Sequence, residues 1–260
     1  MSKSQAIASV LLCAGIVACT TPLSLTSGPA WETIFDGETL DGWTPKIVGQ
    51  STGFDKTQIF SVSDGVLQVS YDAYPEFDGT FGHLFFDEAL SNYRLRFDYL
   101  FSEHQVPGGP AWAFMNSGVM VHAQAPETMR VDQPFPISIE AQLLGKDASL
   151  PDRTTANICT PGTHVVIAGD LTTQHCINSE TSAFAAGVWV EFEIHVEGGA
   201  LIELAIAGQS AFVLTAPEFD PADPDVERLG LAGDVTRGYF ALQAESHPVA
   251  FRNVELMRLD

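Results

Sequence analysis

Three segments of the chain alternate apolar residues with residues able to transfer protons or form hydrogen bonds. They are residues 116–122 (NSGVMVH), 137–143 (ISIEAQL) and 239–247 (YFALQAESH). Successive side chains of a β-strand point to opposite faces, so each segment would present one apolar and one polar face. The amides, carboxylates and imidazoles assigned to the polar faces are Asn116, His122, Glu140, Gln142, Gln243, Glu245 and His247.

These residue types suit acid–base chemistry on a hydroxyl-rich ligand. Carboxylates and imidazoles transfer protons, and amides and carboxylates pair with hydroxyl groups. Aromatic residues that could pack against sugar rings lie nearby, at Trp112 and Phe114. If the three segments are neighbouring strands, we expect a polar patch suited to a carbohydrate. The alternative is an ordinary solvated face, although such faces are usually rich in Lys, Thr and Ser.

The rest of the chain predicts many more short strands. Residues 59–62 and 66–69 flank Asp64-Gly65, a pair typical of a two-residue hairpin turn. Residues 93–101 (YRLRFDYLF) alternate strictly, and no long segment has a 3.6-residue period, so helices should be few and short. The pattern predicts an all-β sandwich or barrel, built as a single domain over residues 31–260.

The N-terminal residues predict export and lipid attachment. An apolar run over residues 6–18 has the length of a signal-peptide core and is shorter than the roughly 20 residues that span a bilayer. It ends in residues 16–19 (IVAC), which resemble the lipobox of bacterial lipoproteins. An ordinary secretory signal is the alternative.

The lipobox resemblance implies a signal peptide over residues 1–18 and a lipid on Cys19 as membrane anchor. Residues 19–30 would form a flexible tether, because they are rich in Ser, Thr and Pro. Thr20 rather than Asp follows the cysteine. We therefore expect a protein of the bacterial cell envelope, anchored in the outer membrane.

Composition restricts the partners. The formal net charge is −21, with 12 Lys and Arg against 33 Asp and Glu. Such a surface argues against binding nucleic acid, whose phosphates attract Lys and Arg. The acidic residues are scattered, and the densest stretch, residues 218–227, lacks EF-hand spacing. The sequence requires no cofactor, leaves a divalent cation open, and makes no prediction of the oligomeric state.

Cys159 and Cys176 remain in the mature chain and favour a disulfide, because an exported protein enters an oxidising compartment. A metal site that uses His164 and His175 is the alternative. Two cysteines without a C-x-x-C pair are a weak zinc signal.

An ordered set of motifs resembles the 3-keto-disaccharide hydrolase domain family. The opening motif is residues 35–43 (FDGETLDGW), and the strand segments continue the match to the closing residues 251–256 (FRNVEL). The resemblance implies a two-sheet jelly-roll β-sandwich of the concanavalin A-like lectin/glucanase type. It also implies cleavage of glycosides whose sugar is oxidised at C3. The E-x-D-x-x-E strand of family-16 glucanases is absent, so their retaining mechanism does not transfer.

The resemblance assigns roles to the polar residues. A 3-keto group acidifies the hydrogen on C2, so that a base could remove it and the C1 substituent could leave by elimination, followed by addition of water. Glu140, Glu245 and His122 are the catalytic candidates, and a divalent cation held by them could instead stabilise the enolate. The resemblance also makes Asn116, Gln142 and Gln243 substrate-binding candidates. The residues themselves add His247 on a polar face, His83 after a glycine-rich turn, and Trp112 after a loop rich in Gly and Pro. A loop histidine and a core tryptophan are the alternatives for His83 and Trp112.

Two other functions remain open at the level of sequence. A non-catalytic carbohydrate-binding module would need the aromatic residues and the amides but no acid–base pair. A structural envelope protein would use the sandwich for protein contacts and would bind no sugar.

Overall fold

The computed structural model describes residues 28–259 of the chain. The predicted signal peptide, the predicted lipidation site Cys19 and most of the predicted tether lie outside the described residues. The first strands are β1 (Glu32–Thr33), β2 (Trp43–Ile47), β3 (Phe60–Ser63), β4 (Val66–Val69), β5 (Gly82–Phe86), β6 (Asn92–Phe101), β7 (Asn116–Ala123) and β8 (Ile139–Leu144). The later strands are β9 (Asn157–Cys159), β10 (Thr163–Ile167), β11 (Asp170–Thr172), β12 (Cys176–Ile177), β13 (Val190–Glu197), β14 (Leu201–Ile206), β15 (Gln209–Phe219), β16 (Tyr239–Ala244) and β17 (Val249–Arg258).

The strands form two antiparallel sheets. Ten strands make one sheet, in the order β11-β10-β15-β14-β13-β6-β17-β4-β3, with β1 paired to β17. Seven strands make the other, in the order β12-β9-β8-β7-β16-β5-β2. The prediction of an all-β, two-sheet sandwich is confirmed.

Helical structure is sparse in the described part of the chain. One α-helix, α1 (Pro224–Leu229), follows Asp223, whose carboxylate caps it by accepting from the backbone N–H groups of Asp225 (2.8 Å) and Val226 (3.0 Å). Two 3-10 turns occur at Ala111–Ala113 and Pro126–Thr128. No helix among residues 28–259 is long and apolar enough to cross a membrane.

Local sequence explains the strands and turns. In β6, Leu95, Phe97 and Tyr99 are buried and alternate with partly exposed charged residues. Between β3 and β4, Asp64 and Gly65 both have positive φ (52° and 77°), as a two-residue turn of the predicted kind requires.

The apolar faces of the two sheets pack together into one core. Phe97 and Phe192 of the ten-stranded sheet lie 5.4 Å apart between ring centroids, and Trp43 and Phe240 of the other sheet lie 5.8 Å apart. Burying each such side chain contributes roughly 1.5–3 kcal/mol. Because the core takes one face of the seven-stranded sheet, polar residues at alternate positions must lie on its outer face.

Candidate active site

The three segments with polar faces are neighbouring strands in the seven-stranded sheet, where β7 lies between β8 and β16. Gly118 pairs with Gln142, and Met120 pairs with Glu140. Val119, Val121, Ile139 and Ala141 belong to the core, which leaves Glu140 and Gln142 on the outer face.

Gly118 leaves space for the carboxyl group of Glu140. A Cβ atom at residue 118 would lie 2.7 Å from Oε1 of Glu140 and 2.9 Å from its Cγ. A side chain at this position would displace the carboxyl group, so glycine is needed for close approach rather than for a special φ.

Glu140 and Glu245 form a buried pair of carboxyl groups. They are 6% and 3% exposed, and Oε1 of Glu140 and Oε2 of Glu245 have no hydrogen-bond partner among the described residues. Burial raises the pKa of Glu140 to about 8, and the neighbouring Gln243 side chain partly opposes this rise. Burial also raises the pKa of Glu245 well above its usual range, and repulsion from Glu140 raises it further. Two negative charges in this environment are costly, so the pair retains at least one proton near neutral pH.

Amide groups surround the carboxyl pair. Gln243 is fully buried, and neither end of its amide is hydrogen-bonded within residues 28–259. Oδ1 of Asn116 is likewise buried without a partner in this part of the chain. Gln142 is held in place, since its Oε1 accepts from Nδ2 of Asn157 at 3.1 Å. Unsatisfied buried polar atoms are costly, and their concentration here indicates a place prepared for a polar ligand.

A cavity of about 370 Å³, named the reaction cavity, opens above these groups. Five sequence-predicted residues line it, namely Trp112, Asn116, Glu140, Gln142 and Glu245. The other lining residues are Phe135, Cys159, Pro161, His175 and Cys176.

Aromatic rings form one side of this region. Trp112 is 56% exposed and lies over Phe81, with 6.1 Å between ring centroids and 25° between ring planes. Phe81 also contacts Phe135, at 5.2 Å between centroids. Exposed rings beside hydrogen-bonding groups suit a ligand with both apolar and hydroxyl faces.

A larger depression, of about 620 Å³, lies on the ten-stranded sheet. Its one cationic lining residue is already paired, because Arg96 contacts Glu255 at 2.7 Å, and its Asp98 contacts Arg252 at 3.0 Å. We therefore place the chemistry in the smaller reaction cavity, where the buried carboxyl groups have no cationic partner among residues 28–259.

His83 lies beside the site but does not line the reaction cavity. It pairs across strands with Gln243 and with Lys46, and its ring lies 6.1 Å from that of Phe135. Burial lowers the pKa of His83 to about 3, and the nearby Lys46 contributes. The imidazole is therefore neutral, and His83 can support Gln243 rather than supply a charge.

His122 does not join the carboxyl pair, which corrects its assignment as a catalytic candidate. Its φ is 51°, and the pairing of β7 with β16 shifts register between Tyr239 and Ala241. This bulge interrupts the alternation. Nε2 of His122 therefore lies 2.9 Å from the carbonyl oxygen of Gly198, in the turn between β13 and β14. Burial lowers the pKa of His122, and the hydrogen bond to Gly198 partly opposes this decrease.

His247 also lies outside the reaction cavity, contrary to its assignment as a substrate-binding residue. Its ring is packed between Phe101 and Phe114, at 5.7 and 5.2 Å between centroids. Nε2 lies 3.0 Å from the carbonyl oxygen of Ser102. Burial lowers the pKa of His247 to about 4, so this residue is a neutral part of the interior.

Cys159 and Cys176 form a disulfide that lies in the wall of the site. The cysteines pair across β9 and β12, and Cys159 also pairs with Glu140. The disulfide leaves no thiolates for the alternative metal site with His164 and His175. Among residues 28–259, no group of three or more His, Cys, Asp or Glu side chains is arranged to hold a metal ion.

Sequence reasoning missed Phe135, Pro161 and His175 as parts of the wall. Phe135 and Pro161 come from connecting segments without an alternating pattern, so no local signal pointed to them. His175 adjoins a cysteine whose pairing was predicted, and that proximity was the available clue.

Comparison of the fold with solved structures defines the class of protein. A Bacillus subtilis protein of unknown function with a galectin-like fold has a TM-score of 0.55 at 10% identity, covering 90% of this chain and 98% of its own. A candidate glycosyl hydrolase from Parabacteroides distasonis has a TM-score of 0.52 at 18% identity, covering 88% and 100%. A second candidate glycosyl hydrolase from that organism also has a TM-score of 0.52, at 20% identity, covering 88% and 94%. The fold is thus a jelly-roll β-sandwich, as predicted.

The family follows from the sequence match. Residues 30–257 match the family described as the 3-keto-alpha-glucoside-1,2-lyase-like domain, and the chain belongs to this family. The predicted family is confirmed. Among curated proteins, no sequence matches this chain.

Proposed function

We propose that the protein cleaves glycosides whose sugar is oxidised at C3, by elimination of the C1 substituent followed by addition of water. The observation that carries this proposal is the buried pair Glu140 and Glu245, with raised pKa values and free oxygen atoms at the reaction cavity. Membership of the 3-keto-alpha-glucoside-1,2-lyase-like family supports the substrate class.

The reaction needs one base and one acid. The base takes the C2 proton, and the electron pair forms an enolate with charge on the 3-keto oxygen. The enolate collapses, the C1–O bond breaks, and the acid protonates the departing oxygen. Water then adds to C1 of the enone and a proton returns to C2, so that the net reaction is hydrolysis.

A pair of buried carboxyl groups can fill both roles. The raised pKa makes the ionised member a stronger base than an ordinary carboxylate and keeps the other member protonated as an acid. Acid–base catalysis of this kind contributes about 10²–10⁴-fold. The two groups titrate as a pair, so the roles of base and acid belong to the pair Glu140 and Glu245 together.

Amide groups can stabilise the enolate. The Asn116 amide lines the reaction cavity, where a preorganised donor aimed at a developing oxyanion is worth about 10²–10³-fold. The Gln243 amide is buried next to Glu140 but does not line the cavity, so it can act on the enolate only through that carboxyl group. Gln142 can bind a sugar hydroxyl, because Asn157 fixes its orientation. Trp112 and Phe135 can pack against the sugar ring.

The test is release of the C1 substituent from a 3-keto-α-glucoside by the wild-type protein and by Glu140→Gln. We expect release by the wild type and at least a roughly 100-fold loss in the variant, because the pair loses an ionisable member. Glu193→Gln is the matched control, since Glu193 pairs with Arg94 on the opposite sheet and lies far from the cavity in the fold.

The parent glucoside and a chelator complete the design. Release from the unoxidised glucoside at an equal rate would contradict the role of the keto group. Binding of the keto sugar without release would overturn the enzyme and favour a carbohydrate-binding module. Loss of activity with chelator would show that a divalent cation takes part in the reaction.

A further inference from the structure

One row of residues crosses the outer face of the seven-stranded sheet from β2 to β9. From strand to strand, its members are Lys46, His83, Gln243, Gly118, Gln142 and Asn157. Gln243 stands beside Gly118 because Leu242, one residue earlier, pairs with Val119. Opposed side chains of antiparallel strands have their Cβ atoms roughly 4.5–5.5 Å apart, so each member can reach the next. Below, this set is called the polar row.

The glycine leaves a gap in the polar row, and the carboxyl group of Glu140 fills it. A Cβ atom at Gly118 would lie 2.7 Å from Oε1 of Glu140, so this carboxyl group lies over β7 between Gln243 and Gln142. The Gln243 side chain lowers the pKa of Glu140, which is the effect of a hydrogen-bond donor on a carboxylate. The polar row therefore favours a negative charge on Glu140.

Glu245 lies outside the polar row. It directly follows β16, two residues after Gln243, and its Oε2 has no hydrogen-bond partner within residues 28–259. Burial and repulsion from Glu140 both raise the pKa of Glu245. The two carboxyl groups are thus unlike: a donor supports the charge of Glu140, whereas both effects on Glu245 oppose ionisation.

His83 and Gln243 can complete each other's hydrogen bonding. Both are almost fully buried, and Nε2 of His83 and both ends of the Gln243 amide lack partners in the described part of the chain. They are directly opposed across β5 and β16. Lys46 and burial keep His83 neutral, and a neutral imidazole has one N–H group to donate.

We propose that the polar row holds the negative charge of the pair on Glu140, which makes Glu140 the base for the C2 proton and Glu245 the acid for the leaving oxygen. Nε2 of His83 donates to Oε1 of Gln243, which turns the amide nitrogen of Gln243 toward the Glu140 carboxylate. Gln243 and His83 are positioning residues, since they act through Glu140 and do not line the reaction cavity. This inference rests on the proposed function and assigns each carboxyl group its role.

The protons balance over the two stages. In the elimination, Glu140 gains the C2 proton and Glu245 gives its proton to the departing oxygen. In the addition, Glu245 takes a proton from the water that attacks C1, and Glu140 returns its proton to C2. The pair ends in its starting state.

Titratable side chains face the pair from four other segments of the described chain. They are Lys46, Tyr71, His83 and His175. Burial raises the pKa of Tyr71, whose hydroxyl group donates to the carbonyl oxygen of Thr80, so Tyr71 stays neutral. His175 lines the reaction cavity, and His175→Gln therefore belongs among the controls for any pH profile.

The first test separates base from acid through the leaving group. Methanol leaves poorly and needs an acid, whereas nitrophenolate leaves without one. With methyl 3-keto-α-glucoside, we expect Glu140→Gln and Glu245→Gln each to lower kcat/KM at least roughly 100-fold. With nitrophenyl 3-keto-α-glucoside, Glu245→Gln should stay within about tenfold of the wild type and Glu140→Gln should not. The opposite pattern, or equal losses on both substrates, would overturn the assigned roles.

The second test removes the donor and follows the acidic limb of kcat/KM against pH, which reports ionisation of the base. Loss of the donor makes ionised Glu140 less favourable, so Gln243→Leu should move this limb to higher pH by about one unit or more. The matched control is Met120→Leu, because Met120 is fully buried, pairs with Glu140 and keeps its volume in this change. The limb should keep its position in Met120→Leu and in His175→Gln.

His83 is tested through Gln243. His83→Leu should move the limb in the same direction, and His83→Gln, which keeps a donor, should restore the wild-type profile. In a Gln243→Leu background, His83→Leu should cause no further shift, because its effect passes through Gln243. Additive shifts would show that His83 does not act by positioning Gln243.

A measurement without substrate keeps this inference separate from the proposed function. ¹³C NMR of labelled glutamate carboxyl groups, assigned with Glu140→Gln and Glu245→Gln, should show Glu140 ionising at lower pH than Glu245. The difference should narrow in Gln243→Leu. Glu245 ionising first would overturn this inference even in a protein that cleaves keto sugars. The expected titration, with no release from either keto sugar, would instead overturn the proposed function and the catalytic roles that rest on it.

Discussion

At the scale of single residues, burial determines the chemistry of the site. Glu140 lies in β8 and Glu245 directly follows β16, both on the outer face, yet both are almost fully buried because loops and the β9–β12 edge surround them. A carboxyl group removed from water is neutralised rather than ionised, which raises its pKa. The same effect acts on His83 and His247 with the opposite sign, because burial disfavours their cationic form.

The raised pKa values predict how stability depends on pH. Each carboxyl group has a higher pKa in the folded protein than in the unfolded chain, so the folded state binds more protons between about pH 4.5 and 8. The two carboxyl groups therefore make their full contribution to stability below this window, and that contribution is lost as pH rises through it. Glu140→Gln removes one titrating group and relieves the repulsion on Glu245.

The free energy of unfolding should fall between pH 5 and pH 8 in both proteins. We expect the fall in Glu140→Gln to be smaller than the fall in the wild type, by roughly 1–3 kcal/mol. Urea denaturation at several pH values measures it, with Glu193→Gln expected to follow the wild type. Parallel curves for wild type and Glu140→Gln would show that the carboxyl group is not held neutral by burial.

At the scale of elements, a two-residue strand supports one side of the site. β12 (Cys176–Ile177) pairs only with β9 within the described chain, and the Cys159–Cys176 disulfide joins the two strands. His175 immediately precedes β12 and lines the reaction cavity. Since two paired residues are a weak attachment, the disulfide holds His175 in place.

Replacing both cysteines, Cys159→Ser with Cys176→Ser, should lower stability by about 3 kcal/mol, because the bridge closes a loop with a sequence separation of 17. It should also raise KM for a 3-keto-α-glucoside, since one wall of the reaction cavity loosens. Urea denaturation and steady-state kinetics measure the two effects. Stability lost with KM unchanged would show that the wall is held without the disulfide.

At the scale of the whole molecule, the acidic surface and the N-terminal residues concern where the protein works. The net charge of −21 favours a well-hydrated surface and argues against binding nucleic acid. The lipobox-like residues lie outside the described residues, and anchoring in the outer membrane is a proposal that rests on sequence alone. A membrane anchor would place the domain where exported or imported glycosides pass.

Lipid attachment has a direct test. Cells that express the full chain should incorporate labelled palmitate into the wild-type protein and not into Cys19→Ala, which should also be lost from the outer-membrane fraction. Cys13→Ala is the matched control, because Cys13 lies inside the predicted signal peptide. Equal labelling of wild type and Cys19→Ala would exclude Cys19 as the lipidated residue.

The sequence by itself determined the class of fold and named five of the ten residues that line the reaction cavity. The two-residue period of a strand is a local property, so alternation correctly placed Glu140, Gln142 and Gln243 on the face opposite the core. Family motifs pointed to the same residues. Only the tertiary structure showed that the bulge in β7 turns His122 toward Gly198, because a bulge depends on the register between strands distant in sequence. It also brought Phe135 and His175 to the reaction cavity, since the position of a connecting segment is decided by what it packs against and not by its own pattern.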